Sequence, residues 1–231
     1  MNSINMTKSS SYSSTNISRV SKSKLAIELS KLAIFHSPEP KLEQYSTDPE
    51  IAATICWYAH MHGHLARKCI ADLGCGTGIL GLGTMMLGSS LVYFIDEDKN
   101  ALTLAKENLN LLKKRYPKIM RGKAKFICDN IKNLGKKFDK RIDTVIMNPP
   151  FGTKQKHADK IFLETAFRIA DVVYSFHKTS TRKFVQAVAS DYHFNIIDEI
   201  RFQLPIKQTM KFHKKRIVRI AVSCFVMEKI K

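Results

Sequence analysis

Lys68-Cys69-Ile70-Ala71-Asp72-Leu73-Gly74-Cys75-Gly76-Thr77-Gly78 is a short apolar run that stops at three glycines spaced two residues apart. Residues 68–73 read as a buried strand, and the apolar segment 79–87 that follows the glycines reads as a helix. Strand, glycine turn and helix in that order make a nucleotide-binding unit, because glycines permit the tight turn and let a ligand approach the backbone. The spacing is G-x-G-x-G, whereas a dinucleotide site has G-x-G-x-x-G, so the glycines alone are a weak signal. The strands that follow strengthen it. Residues 91–95 end in Asp96, about 20 residues beyond the glycines, where an acid suits the two ribose hydroxyls of an adenosine ligand. A third run, 124–128, ends in Asp129-Asn130, placed to read an adenine amino group.

The fourth run, Ile142-Asp143-Thr144-Val145-Ile146-Met147, closes at Asn148-Pro149-Pro150-Phe151. Prolines donate no backbone hydrogen bond, so the carbonyls there are free to accept. Such a site holds a planar amino group. The Asn148 side-chain oxygen and the Pro149 carbonyl accept its two protons, and Phe151 stacks on the attached ring. An amino group conjugated with a ring is a poor nucleophile, and drawing its protons aside favours a pyramidal nitrogen. A plain turn after a strand is the bland alternative.

Around these sites the chain is organised simply. Residues 1–22 are rich in Ser, Asn and Thr without an acid, which predicts a disordered basic extension, with a mitochondrial transit segment as the rival. Residues 23–231 form one domain: a helical segment over 23–60 and a Rossmann-like core over 61–231. Leu25, Leu29 and Leu32 mark an amphipathic helix over 25–34. A second helix over 51–60 is capped by Thr47 or Asp48, with Pro49 in its first turn. Further helices fall near 98–112, 159–169 and 181–190, a fifth strand over 171–176, and two longer strands over 195–204 and 216–227. This alternation predicts an α/β fold, a doubly wound, mostly parallel seven-stranded sheet with an antiparallel C-terminal strand.

Composition narrows the partners. The 231 residues carry a net charge of +18, of which four units (Lys8, Arg19, Lys22, Lys24) lie in residues 1–24, so 18 − 4 leaves +14 on the remainder. A basic surface of that size suits a polyanion. Its densest runs are Lys113 to Lys125 and Lys211 to Arg219; either alone reads equally well as a solvated face. No apolar run approaches the roughly 18–20 residues that span a bilayer. The cysteines (Cys56, Cys69, Cys75, Cys128, Cys224) are scattered and never paired as C-x-x-C, which predicts core residues in a reducing compartment and no metal site.

Five ordered segments carry a family resemblance: 42–49 (Leu-Glu-Gln-Tyr-Ser-Thr-Asp-Pro), 71–76, 145–154, 174–178 (Tyr-Ser-Phe-His-Lys) and 211–215 (Lys-Phe-His-Lys-Lys). From about Leu25 to the C-terminus the chain resembles the methyltransferase-like five family, adenine-N6 methyltransferases of small-subunit ribosomal RNA. The resemblance implies an S-adenosyl-L-methionine cofactor held by Gln44, Thr47, Asp72, Gly74, Gly76, Thr77, Gly78, Asp96, Asp129 and Asn130. Catalysis then falls to Asn148, Pro149, Pro150 and Phe151. Lys154, Lys178, Phe212, His213, Lys214 and Lys215 would engage ribosomal RNA. It further implies a small zinc-binding activator protein pairing with an exposed edge strand at 124–128, and a place in the cytoplasm or nucleus. The family commonly has Pro where Ser46 stands and a small residue or Cys where Thr77 stands. Methylation of a protein glutamine amide, of guanine-N2 or of DNA adenine, and an inactive RNA-binding scaffold, are the alternatives the residues leave open.

Overall fold

The computed structural model describes residues 20–35, 47–136, 142–150, 158–206 and 218–230. Its strands are β1 (Cys69–Leu73), β2 (Leu91–Asp96), β3 (Lys123–Cys128), β4 (Ile142–Met147), β5 (Ala170–Lys178), β6 (Phe194–Ile206) and β7 (Val218–Lys229). They form one sheet in the order β3-β2-β1-β4-β5-β7-β6. β1 to β5 pair in parallel, and β7 runs antiparallel to both β5 and β6. Six strands therefore point one way and one points back, as the alternation of elements predicts. The central strands are covered on both faces, so β1 and β4 are buried almost throughout. At the rim, β3 alternates between exposed and half-buried positions.

Helices cover both faces. The first face carries α1 (Lys22–Leu29), α2 (Pro49–Met61), α3 (Ile79–Met86) and α4 (Lys99–Arg115), whose Leu25, Ile55, Leu82 and Leu109 pack with Ile70, Phe94 and Ile146 of the sheet. The second carries α5 (Ala158–Ile169) and α6 (Arg182–Asp191), whose Leu163 and Val185 pack with Leu73, Val145 and Val173. α2 and α3 approach so closely that a Cβ on Gly83 would stand 2.8 Å from Cys56 Sγ. Cys56, Cys75 and Cys224 are core residues as expected; Cys69 is half-buried and Cys128 is exposed, because β3 is the rim.

The first helix is shorter than the leucine spacing predicts. It begins early because the Ser21 hydroxyl accepts from the Lys24 N–H, and it stops at Ser30. Leu25, Leu29 and Leu32 are nevertheless all buried. Beyond Leu29 the chain is held by other means, chiefly from α4. At α2 the cap is Asp48, which accepts from Glu50 N at 2.9 Å and Ile51 N at 3.2 Å. Thr47 is left for another task.

Each parallel strand ends at the same edge of the sheet. β6 and β7 continue four residue pairs past the last β5–β7 pair, from Gln203–Ala221 to Ile206–Val218. That is about 13 Å of ribbon beyond the sheet on that edge.

Glu28, 1% exposed, binds Arg115 at 2.7 Å, Lys31 at 2.8 Å and Lys24 at 3.3 Å. Burial works against its charge, but the hydrogen bonds from Lys31, Arg115, Tyr116 and Lys24 outweigh it and hold the carboxyl down to about 2. A folded value below the ordinary 4.5 gives stability that is present above about pH 4.5 and lost as the pH falls toward 2. Glu28→Gln should therefore lower stability at pH 7 and flatten the acid limb of the stability curve, measured by urea unfolding from pH 7 to pH 3.

Candidate active site at the strand ends

The turn between β1 and α3 is built from backbone that only glycine adopts freely. Gly74, Gly76 and Gly78 have φ of 65°, 52° and 81°. Two carboxylates hold the turn. Asp96, at the end of β2, accepts from Gly76 N at 2.8 Å and from Asp98 N at 3.0 Å. Asp72, on β1 and 1% exposed, accepts from Gly81 N at 2.7 Å in the first turn of α3. Burial pushes Asp72 up to about 7 against the pull of the Gly81 N–H, and raises Asp96 against its own two backbone bonds. A Cβ on Gly78 would lie 3.1 Å from Ala105 of α4, so this glycine also sets the helix packing.

Beside the turn is a small cleft, partly open to solvent. Its walls are the glycine turn with Asp72 and Thr77, the start of α3, Asn148 at the end of β4, and Phe35 and Thr47 from the N-terminal segment. Thr47 lies 101 residues from Asn148 in sequence, yet its Oγ1 accepts from Asn148 Nδ2 at 3.0 Å. With the amide NH2 so engaged, the oxygen is the atom suited to accept from a substrate amino group. Pro149 is buried and Pro150 half-buried.

The other expected residues divide. Thr77, Gly74, Gly76 and Asp72 line the cleft, and Gly78 caps α3 beside it. Asp96 stands behind the turn as its anchor. Asp129 and Asn130 are outside the cleft walls: Asp129 accepts from Asn133 Nδ2 at 2.8 Å, and Asn130 Nδ2 donates to Glu97 at 2.6 Å. Their strand neighbours the others in the order β3-β2-β1-β4, so Asp129, Asp96, Gly74 and Asn148 form a row of strand ends about 14 Å long. Lys178 is half-buried at the end of β5, its carbonyl accepting from Thr181. Gln44, Phe151, Lys154, Phe212, His213, Lys214 and Lys215 lie outside the described residues, as do residues 1–19 of the extension. Phe35 carries no sequence signal: a lone aromatic after a short helix reads as core.

Charge is distributed unevenly about this edge. α4 leaves the site edge after β2 and returns the chain to the start of β3, so Lys113, Lys114 and Arg115 of its last turn lie at the opposite edge of the sheet. The helical part of the longer basic run is thus remote from the cleft, and Arg115 is engaged with Glu28. The β6–β7 ribbon ends at Ile206 and Val218, the residues that flank 207–217, on the site edge.

A family model for the methyltransferase small domain matches residues 50–172. The chain is 39% identical over 193 residues to the rRNA N(6)-adenosine-methyltransferase METTL5 of Danio rerio, covering 81% of this chain and 89% of that one. It is 37% identical over 201 residues to the Drosophila melanogaster enzyme of the same description, covering 84% and 90%. The crystal structure of PH1948 from Pyrococcus horikoshii superposes with a TM-score of 0.79 at 38% identity, covering 91% of this chain and 98% of that one. Sheet order and glycine turn, with these likenesses, define a class I methyltransferase dependent on S-adenosyl-L-methionine. Within that class, the chain belongs to the METTL5 family.

The residues fit that cofactor. The glycine turn removes side chains where a ligand must approach, and a Cβ on Gly76 would come within 3.8 Å of Phe35 and narrow the cleft. Thr47→Val removes the acceptor that orients the Asn148 amide. Methyl transfer at saturating donor should fall roughly tenfold, the effect of about 1.4 kcal/mol of lost alignment. Thr47→Ser should keep most of the rate; steady-state kinetics on both variants checks this.

Proposed function

We propose that this methyltransferase modifies the exocyclic N6 amine of an adenosine in small-subunit ribosomal RNA. The observation that carries the reading is the Asn148-Pro149-Pro150 terminus of β4 at the mouth of the cleft, with the Asn148 NH2 bonded to Thr47. The zebrafish and fly relatives are described as rRNA N(6)-adenosine methyltransferases, and the chain shares most of its length with both.

S-adenosyl-L-methionine, when bound, supplies an electrophilic methyl on a sulfonium. The chain's part is position. Asn148 Oδ1 and the Pro149 carbonyl accept the two amino protons, so the nitrogen lone pair is turned away from the ring. Phe151 stacks on an adenine that is single-stranded or flipped out. No ionised base is required, and orientation of this kind can supply up to roughly 7–11 kcal/mol of a barrier. Gln44 belongs to the same donor site: residues 36–46 join Phe35 to Thr47, and both lie on the cleft wall. Asp96, Asp129 and Asn130 follow along the row of strand ends toward the adenosine half.

RNA is held by phosphate contacts from the segment joining β6 to β7, which contains Lys211, Phe212, His213, Lys214 and Lys215, together with Lys154 and Lys178. Such contacts position RNA without choosing its sequence. A small zinc-binding activator pairs with the rim strand β3, whose Phe126 is half-buried against Phe94 at 4.9 Å. The enzyme works where ribosomal subunits are assembled or used, in the nucleus or cytoplasm.

The test incubates the full chain, with and without the activator, with labelled S-adenosyl-L-methionine and total RNA, and separates digested nucleosides by mass. N6-methyladenosine in the small-subunit RNA is expected, reduced at least about 100-fold in Asn148→Ala. Labelling of protein and not RNA would overturn the reading in favour of a glutamine amide. In the same assay Lys214→Glu with Lys215→Glu should weaken RNA binding and lower its salt dependence, measured as the slope of log affinity against log salt.

A further inference from the structure

Asn108 lies in the middle of α4, 1% exposed, and its side chain makes bonds in two directions. Toward the N-terminal segment, its Oδ1 accepts from Ala33 N at 2.8 Å and its Nδ2 donates to Ala33 O at 3.0 Å. The amide thereby stands in for the edge of a strand, satisfying both polar groups of one residue in a stretch that belongs to no helix or strand. Toward the glycine turn, the same Nδ2 donates to Thr77 O at 3.0 Å. One buried side chain thus joins residues 75 and 31 positions away, and the two segments it joins are both walls of the cleft. Phe35, two residues past Ala33, lines the cleft opposite Gly76.

We propose that Asn108 is a positioning residue for donor binding, a latch that holds residues 30–35 against the glycine turn so that Phe35 closes one wall of the donor cleft. The inference rests on the reading that this cleft takes S-adenosyl-L-methionine. Ser30, Lys31 and Leu32 still bond back to Ala26, Glu28 and Leu29 of α1, and the step from there to Phe35 is fixed at Ala33, whose N–H and carbonyl both bond Asn108. A ligand that contacts the wall favours the latched state, and the latched state favours the ligand, by the same factor. Without the latch, part of the binding free energy goes into ordering the wall.

The second attachment of the N-terminal segment to α4 supplies a control. Glu28 and Arg115 meet at the other end of that helix, away from the cleft. Glu28 also bonds Lys31 at 2.8 Å, at the start of residues 30–35, so its loss loosens α1 and that start while the Asn108 bonds at Ala33 stay in place.

Binding of S-adenosyl-L-methionine to the full chain is measured by calorimetry, with hydrogen exchange of residues 30–35 read alongside by mass spectrometry. Asn108→Ala should weaken donor binding by about tenfold, within the usual range for coupled sites. Its turnover at saturating donor should stay near the wild-type value, and exchange in 30–35 should quicken. In the wild type, donor should slow that exchange. Glu28→Gln should lower stability yet keep donor affinity within about twofold, well below a coupling effect. If Asn108→Ala does not fold, Phe35→Ala decides: it should weaken donor binding while the Ala33 amide stays protected. A folded Asn108→Ala or Phe35→Ala with wild-type donor affinity would overturn the latch, as would donor-independent exchange in 30–35 or an equal loss in Glu28→Gln. Asp96→Ala separates the two levels. If it abolishes donor binding while Asn108→Ala does not weaken it, the latch alone fails; if it leaves binding intact, the assignment of the cleft fails.

Discussion

Three left-handed glycines within five residues are the constraint on which the rest of this molecule depends. An L-residue in that conformation costs about 1–2 kcal/mol, so the turn from β1 into α3 strongly favours glycine at Gly74, Gly76 and Gly78. The surrounding structure is arranged to keep it. Asp96 holds Gly76 from β2, Asp72 holds the first turn of α3 through Gly81, and Ala105 fits against Gly78. Both carboxylates are raised by burial, which means that they hold the turn at an electrostatic cost. That cost is tolerable because each oxygen engaged faces a backbone N–H that would otherwise lack an acceptor.

The sequence shows the strand ends well because a parallel sheet forces them to be conspicuous. β1, β2 and β4 are buried on both faces, so each reads as a mostly apolar run, and Gly74, Asp96 and Asn148 mark where those runs reach the site edge. Gly74, Asp96 and Asn148 are legible for that reason. Phe35 and Asn108 are not. Asn108 sits at a buried position of an amphipathic helix and reads as a polar residue on a core stripe; only the fold shows that its partners are 75 and 31 residues away. The sequence offers Thr47 or Asp48 as the cap of α2, and Asp48 takes that place. Leucine spacing overruns α1, since it records burial through Leu32 while the regular helix ends at Leu29.

Charge told less than position. The run from Lys113 to Lys125 is the longer of the two basic runs, and connectivity sends its helical part to the edge opposite the cleft. The shorter run follows β6, whose ribbon with β7 projects beyond the sheet on the cleft side as far as Ile206 and Val218. Net charge predicts attraction to a polyanion; which basic residues can share a ligand with Asn148 is a matter of strand direction. The same logic places the N-terminal segment. Its described residues form no strand, yet they supply Phe35 and Thr47 to the wall and bond the amide of Asn148.

Whether donor and target amine meet at the end of β4 is decided by a crystal structure with S-adenosyl-L-homocysteine. The ligand should lie along the ends of β1, β2 and β3, with its sulfur directed toward the Asn148 amide and that amide still bonded to Thr47. Ligand bound away from the glycine turn, or an Asn148 amide turned so that its NH2 faces the sulfur, would contradict that meeting.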